Sequence, residues 1–256
     1  MSKIYYKTVR RNLKSWHGDI QYIVGKEISL PAVKEPQLCT DTVLHASEKP
    51  LDALKYAATL DCGLLEVSGD EVVHGDDKSG FFSLSVIREV PDTEKDSLYG
   101  FLYNEAVHSI NPCEITSKLT EKDKENLKQW ASLSDTAWDS FNTSIWYSVG
   151  SSLGDSVWDS VLGSAWDSYW DSVWESISVS TNDSIKHSVK ESIWAYIGSW
   201  FPGIDKWEHF EHKKGEYPFR SGVELWKRGF IPVKTSGKWK LYHPMRDKRA
   251  KLVWEI

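Results

Sequence analysis

Ser164-Ala-Trp-Asp-Ser168-Tyr-Trp-Asp-Ser172-Val-Trp-Glu-Ser176 is one tetrapeptide written three times, Ser, apolar, Trp, acid. Outward from it, serine holds every fourth position from Ser140 to Ser192, fourteen in succession without a slip. The residue after each serine is apolar throughout (Phe141, Ile145, Val157, Ile177, Val189, Ile193 among them), with Thr181 the exception. Tryptophan follows at Trp146, Trp158, Trp166, Trp170, Trp174 and Trp194, and an acid precedes serine at Asp139, Asp155, Asp159, Asp167, Asp171, Glu175, Asp183 and Glu191.

A period of four lies close to the helical 3.6, so short helices would carry an aliphatic stripe beside a tryptophan stripe. Each tetrad advances about 400° on an ideal helix, a drift of roughly 40°. One straight helix over fourteen tetrads would wind its stripe off any single core. Breaks are required, and Gly150, Gly154, Gly163 and Ser178–Asn182 are the places for them. A helical hairpin or small bundle follows. A β-solenoid is the alternative, favoured by the unbroken register and by valine, isoleucine and tryptophan as strand formers. Two roles suit the tryptophans. They fill a core between small serines, or they present Trp158, Trp166, Trp170 and Trp174 to a partner, as tryptophan does at interface hot spots.

The repeat divides the chain. Residues 1–133 carry 16 basic and 21 acidic side chains, 134–200 carry 2 and 9, and 201–256 carry 13 and 7. With the change in texture, this sets three regions: an α/β module at 1–117, a helix and the repeat at 118–200, and a basic α+β tail at 201–256. The fold class is α+β. In the first region Ile4–Lys7, Gln21–Val24, Gly63–Ser68, Glu71–His74 and Phe81–Val90 read as strands, and Glu48–Ala58 as a helix. Lys118–Leu133 reads as an amphipathic helix leading into the repeat. In the tail, Ser221–Arg228 is a helix closed by Gly229, and Lys238–His243 pairs with Lys251–Ile256 as a hairpin.

With 256 residues, 40% hydrophobic and 27% charged, the composition excludes collagen-like and wholly disordered chains. No run approaches the ~18 apolar residues of a membrane span. The opening residues lack a signal-peptide core, and Cys39, Cys62 and Cys113 form no patterned pair. These features point to a reducing cytoplasm. No nucleotide loop, nucleophile elbow or zinc-protease motif occurs. His209 and His212 stand three apart without a third ligand nearby, so no metal is expected. Basic residues interleaved with Trp239, Tyr242 and Trp254 suit nucleic acid or an acidic protein face.

Several motifs carry a family likeness. Leu13-Lys14, Tyr22-x-Val24-Gly25-Lys26, Leu51-Asp-Ala-Leu54, Leu65-x-Val67-x-Gly69, Lys78-Ser-Gly80 and Ile87-x-Glu89 resemble the N-terminal domain of an uncharacterised phage and bacterial family, whose domain precedes short tandem repeats. The resemblance implies a phage-type accessory protein of a bacterial host cell; with the tryptophan-rich repeat, the expected role is binding or assembly, with a protein partner or a second copy of the chain and with no cofactor. The layout of the same region also resembles ADP-ribosyltransferases of the rifampin-modifying type. That resemblance implies NAD as cofactor, with Tyr6 where the family has its first histidine, His45 where it has tyrosine, and Asp76 or Asp77 as the acid.

Overall fold

The computed structural model describes residues 3–133, 137–145, 147, 163–178, 185–245 and 248–256. They fall into two compact units, divided after Val107. The expected α+β class holds: each unit carries both helices and antiparallel sheet.

The first unit contains two sheets. One has the order β1 (Tyr5–Val9), β4 (Gly63–Ser68), β7 (Ser83–Glu89), β2 (Glu27–Ser29). The other has the order β3 (Leu44–Ala46), β6 (Ser79–Phe81), β5 (Glu71–His74). Alternation along β1 turns Tyr5 and Val9 inward, and they join Leu65, Val67, Leu84 and Val86 of their own sheet. Leu44, Ala46 and Phe81 of the second sheet complete the same core, with Tyr5 and Phe81 edge to face at 4.8 Å. Helices α1 (Pro50–Leu54), α2 (Asp92–Tyr99) and α3 (Tyr103–Val107) complete the unit.

Three expectations change here. Gln21–Val24 is not a strand: Gln21 makes only an isolated bridge to Lys14, and Ile23 to Gly25 turn. Tyr22 enters the core as a lone side chain, which is why the segment looks like a strand in sequence. The helix expected over Glu48–Ala58 is the single short turn α1. Phe81–Val90 is divided between two sheets, since β6 ends at Phe81 and β7 begins at Ser83. Helices α2 and α3 were not expected. The inward positions of α2 are Lys95 and Tyr99, so no aliphatic stripe announces it.

The second unit holds helices α4 (Glu121–Leu133), α5 (Ala137–Ile145), α6 (Ser164–Ser178), α7 (Lys186–Gly198) and α8 (Arg220–Lys227). Its sheet is β8 (Ile231–Thr235), β9 (Lys238–Met245) and β10 (Lys248–Glu255), with β9 central. Thr120 and Asp123 cap α4 reciprocally: the Thr120 N–H donates to Asp123 Oδ2 at 2.8 Å and the Asp123 N–H to Thr120 Oγ1 at 3.3 Å. Helix α8 closes on Gly229, whose φ of +76° suits glycine. Helices α4 and α8 approach closely at Gly222, where a Cβ would stand 2.6 Å from the Trp130 ring. Trp130, Trp200, Trp207 and Trp226 are fully buried in this unit.

Every described stretch of the repeat is helical, apart from single residues at helix ends. Helix α6 spans Ser164–Ser178, Gly163 before it is π-helical, and 179–182 lie outside the described residues. Gly150, Gly154 and Trp158 lie outside the described residues. Over fifteen residues the drift stays tolerable, and the apolar, tryptophan and acid positions described on α6 each keep one environment. Tyr169, Val173 and Ile177 are buried, Trp166, Trp170 and Trp174 are half-buried, and Asp167, Asp171 and Glu175 are exposed.

The serines have a role that periodicity does not announce. They bond the main chain of segments far away in sequence. Ser144 Oγ accepts the Glu208 N–H at 2.8 Å, Ser176 Oγ accepts the Met245 N–H at 2.8 Å, and Ser188 Oγ accepts the Lys234 N–H at 3.1 Å. Ser192 Oγ donates to the Ser188 carbonyl at 3.0 Å and approaches that of Pro232 at 3.4 Å. Lys234 and Pro232 belong to β8, an edge strand, so α7 serves backbone groups that no neighbouring strand can pair. Ser188→Ala and Ser144→Ala should each lose about 1–3 kcal/mol, because a half-buried or buried N–H is left without its acceptor. Ser132→Ala, whose exposed hydroxyl only bonds its own helix, should change little. Denaturant midpoints of the three variants measure the difference.

Candidate functional site

Two constellations stand out, one in each unit.

The first is a ladder of indoles on α6 and α7. On α6, tryptophans four apart stack face to face: Trp166 on Trp170 with centroids at 5.5 Å, and Trp170 on Trp174 at 5.0 Å with planes 9° apart. Trp194 of α7 stacks on Trp166 at 5.4 Å and extends the row across two helices. Lys190 reaches over Trp166 at 5.9 Å and over Trp170 at 6.0 Å, and Lys186 over Trp170 at 5.8 Å. One residue further round α6, about 100° from the tryptophans, runs the exposed row of Asp167, Asp171 and Glu175. The ladder therefore has carboxylates along one flank and ammonium groups along the other.

Three of the tryptophans expected to meet a partner, Trp166, Trp170 and Trp174, thus lie side by side, and Trp194 joins them. Trp239 and Trp254 sit apart, on β9 and β10. Trp239 is 7% exposed with Lys234 over its ring, and Trp254 is half-buried beneath Lys124. His212 has both ring nitrogens occupied by backbone: Nε2 accepts the Trp207 N–H at 2.8 Å and Nδ1 lies 2.8 Å from the Lys213 carbonyl.

The second constellation surrounds His45 in the first unit. Tyr6 and Lys7 are neighbours on β1 and so point to opposite faces. Tyr6 stands opposite Glu66 in register, and the charges of Glu66 and Arg88 act on its phenol. Lys7 faces the other way and donates from Nζ to the His45 carbonyl at 2.8 Å. His45 Nε2 accepts the Cys39 N–H at 3.0 Å. Burial, then the charges of Lys7 and Lys78, push the His45 pKa down to about 4, so the ring is neutral at pH 7. Burial lowers the Lys7 pKa to about 8, which leaves it charged at pH 7.

Asp77 accepts the Tyr56 hydroxyl at 2.5 Å and lies 3.6 Å from Lys55 Nζ. Lys78 sits over the Tyr56 ring at 4.0 Å. Asp77, Tyr56 and Lys78 thus form one cluster, and the Lys78 charge acts on the His45 ring. Tyr6 belongs to the other face of β1, and Asp76 is exposed. Lys7 and Tyr56 carry no local signal in the sequence, and Lys78 is noticed there only within Lys78-Ser-Gly80. Elsewhere in this unit Glu48, Glu71 and His74 bring ligand atoms within 4.8 Å of one another, all exposed, with Lys3 already paired to Glu48.

Residues 3–95 match a family described as a domain of unknown function (DUF7666). No curated protein and no solved structure matches the chain.

Proposed function

We propose that this protein works by assembly, with copies of the chain associating through the tryptophan ladder of α6 and α7. One observation carries the reading. The second unit buries Trp130, Trp200, Trp207 and Trp226 completely, yet leaves Trp166, Trp170, Trp174 and Trp194 half-exposed and stacked on each other. Large flat apolar side chains gathered at a surface favour a protein contact.

The charges around the ladder favour a second copy over an unrelated protein. A two-fold interface brings the same patch to itself, and with the axis along the ladder each flank meets its opposite. Asp167, Asp171 and Glu175 of one copy would then face Lys186 and Lys190 of the other. Among the described residues no helix is long and apolar enough to cross a membrane, so the ladder does not belong to a membrane-spanning helix.

Light scattering at micromolar concentration should give at least twice the 29.3 kDa of one chain. Asp171→Lys with Glu175→Lys should dissociate the assembly, and adding Lys186→Glu with Lys190→Glu should restore it. A wild-type protein that stays monomeric to 100 µM (on the order of a weak contact of about 5.5 kcal/mol) overturns the proposal.

A further inference from the structure

We propose that the first unit binds a divalent transition-metal ion of the zinc type through Glu48, Glu71 and His74. The site is independent of the ladder.

Glu71 and His74 stand at the two ends of β5. Three positions apart in a regular strand, they would point to opposite faces. A bulge prevents this: Glu71 pairs with Phe81 and Val73 with Gly80, so β5 takes two steps where β6 takes one. Glu71 then lies opposite Phe81 and His74 opposite Ser79, on one face of the sheet. From the other side of β6, Ala46 pairs with the same Ser79, and Glu48 follows two residues later. His74 Nδ1 comes to 3.1 Å from Glu71 Oε1. The ligand atoms of all three residues lie within 4.8 Å of one another. Around a zinc ion, ligand atoms at about 2.0–2.2 Å from the metal stand roughly 3–4 Å apart. The set therefore closes on an ion with a shift of about 1 Å, which rotation of an exposed glutamate side chain provides.

Two buried hydroxyls hold these side chains from beneath. Ser79 is 1% exposed, and its Oγ lies 3.3 Å from His74 Nδ1. Buried Tyr5 donates its hydroxyl to Glu71 Oε2 at 3.3 Å. Outer-shell partners orient ligands at metal sites in this way. The local charge also asks for a cation. Glu48 pairs with Lys3, but among the described residues Glu71 has no lysine or arginine within ion-pair distance. A divalent ion balances the two carboxylates, and the imidazole favours a transition ion over magnesium or calcium. Three protein ligands leave a coordination position for water. Lys3 is the ion's competitor for Glu48, and displacing it releases that carboxylate to the metal.

The test is calorimetry on the full chain at pH 7, first with zinc chloride and then with magnesium chloride. In parallel, NMR follows the histidine ring resonances as paramagnetic cobalt(II) is added. Saturable zinc binding is expected, with the His74 resonances broadened before those of the other histidines. Glu71→Gln and His74→Ala should each weaken zinc binding by more than the roughly tenfold that loss of an outer-shell partner costs. Lys3→Ala should tighten it, because the competing ammonium group is gone. His17→Ala, at another exposed histidine, should bind as wild type does. All three ligand residues are exposed, and Glu48→Gln keeps the test open should another variant fold poorly. No saturable zinc binding overturns the proposal. So does affinity that Glu71→Gln and His74→Ala both retain, or broadening that begins at another histidine. Magnesium binding as tight as that of zinc overturns the assignment to a transition ion.

Discussion

Trp226→Ala should cost the second unit about 4 kcal/mol, within the range measured for emptying a large aromatic site in a packed core. Trp226 is fully buried at the meeting of several elements. Its ring, on α8, stacks on Tyr196 of α7 at 5.5 Å and meets Tyr169 of α6 edge to face at 5.4 Å. Its Nε1–H donates to the Ile110 carbonyl at 2.9 Å. Removal leaves a cavity walled by other rings, which cannot collapse because each is fixed elsewhere. The Tyr196 hydroxyl, for one, accepts the Ile110 N–H at 2.8 Å. Trp226→Phe keeps most of the volume and should recover more than half of the loss. Chemical denaturation followed by near-ultraviolet circular dichroism separates the two variants, and equal midpoints for Trp226→Ala and wild type would refute the packing argument.

The second large effect is an asymmetry. Asp92→Ala should destabilise the first unit by about 3 kcal/mol, whereas Lys95→Met should change it by about 1 kcal/mol or less. Lys95 is fully buried and has no other carboxylate within ion-pair distance among the described residues, so removing Asp92 strands a charge. Asp92 is less dependent on Lys95. It is 34% exposed and also accepts from Arg11 at 2.9 Å. Burial alone would raise the Asp92 pKa, but the bonds from Arg11 and Lys95 outweigh it and hold the carboxyl below its ordinary value. A depressed carboxylate stabilises the fold above its unfolded pKa, and that contribution disappears as pH falls through the folded value. Wild type should therefore lose its advantage over Asp92→Ala in acid below about pH 4. Urea midpoints at pH 7 and pH 3 test both halves, and a Lys95→Met variant as damaged as Asp92→Ala would contradict the asymmetry.

Both effects concern residues whose importance is invisible locally. Trp226 lies in a segment that reads correctly as a helix, and its neighbour Gly222 looks like a weakness there until Trp130 is found against it. Lys95 is a lysine on a short helix, unremarked until its burial is known. Helices α2 and α3 escaped notice for the same reason. The candidate sites divide similarly. Trp166, Trp170 and Trp174 are legible as a group because helical spacing places i and i+4 together. Trp194 joins them only because α7 packs beside α6. His45 is noticeable as a histidine near a strand, but Lys7 reaches its carbonyl from 38 positions away in the chain.

The sequence by itself determined that the repeat has a period of four with acids and tryptophans at adjacent positions, helices or a β-solenoid being left open, that strands form at Tyr5, Gly63 and Glu71, and that a glycine closes the helix before the final hairpin. These follow from spacing and side-chain shape, which act over a few residues. Only the tertiary structure decided that the described parts of the repeat are helical, which stripe is covered and which left open, and that the repeat's serines bond β8 and β9. A helix has several faces of similar character, and the one that is buried depends on what arrives opposite. Lys234 comes to Ser188 across 46 residues, and no local period records that distance.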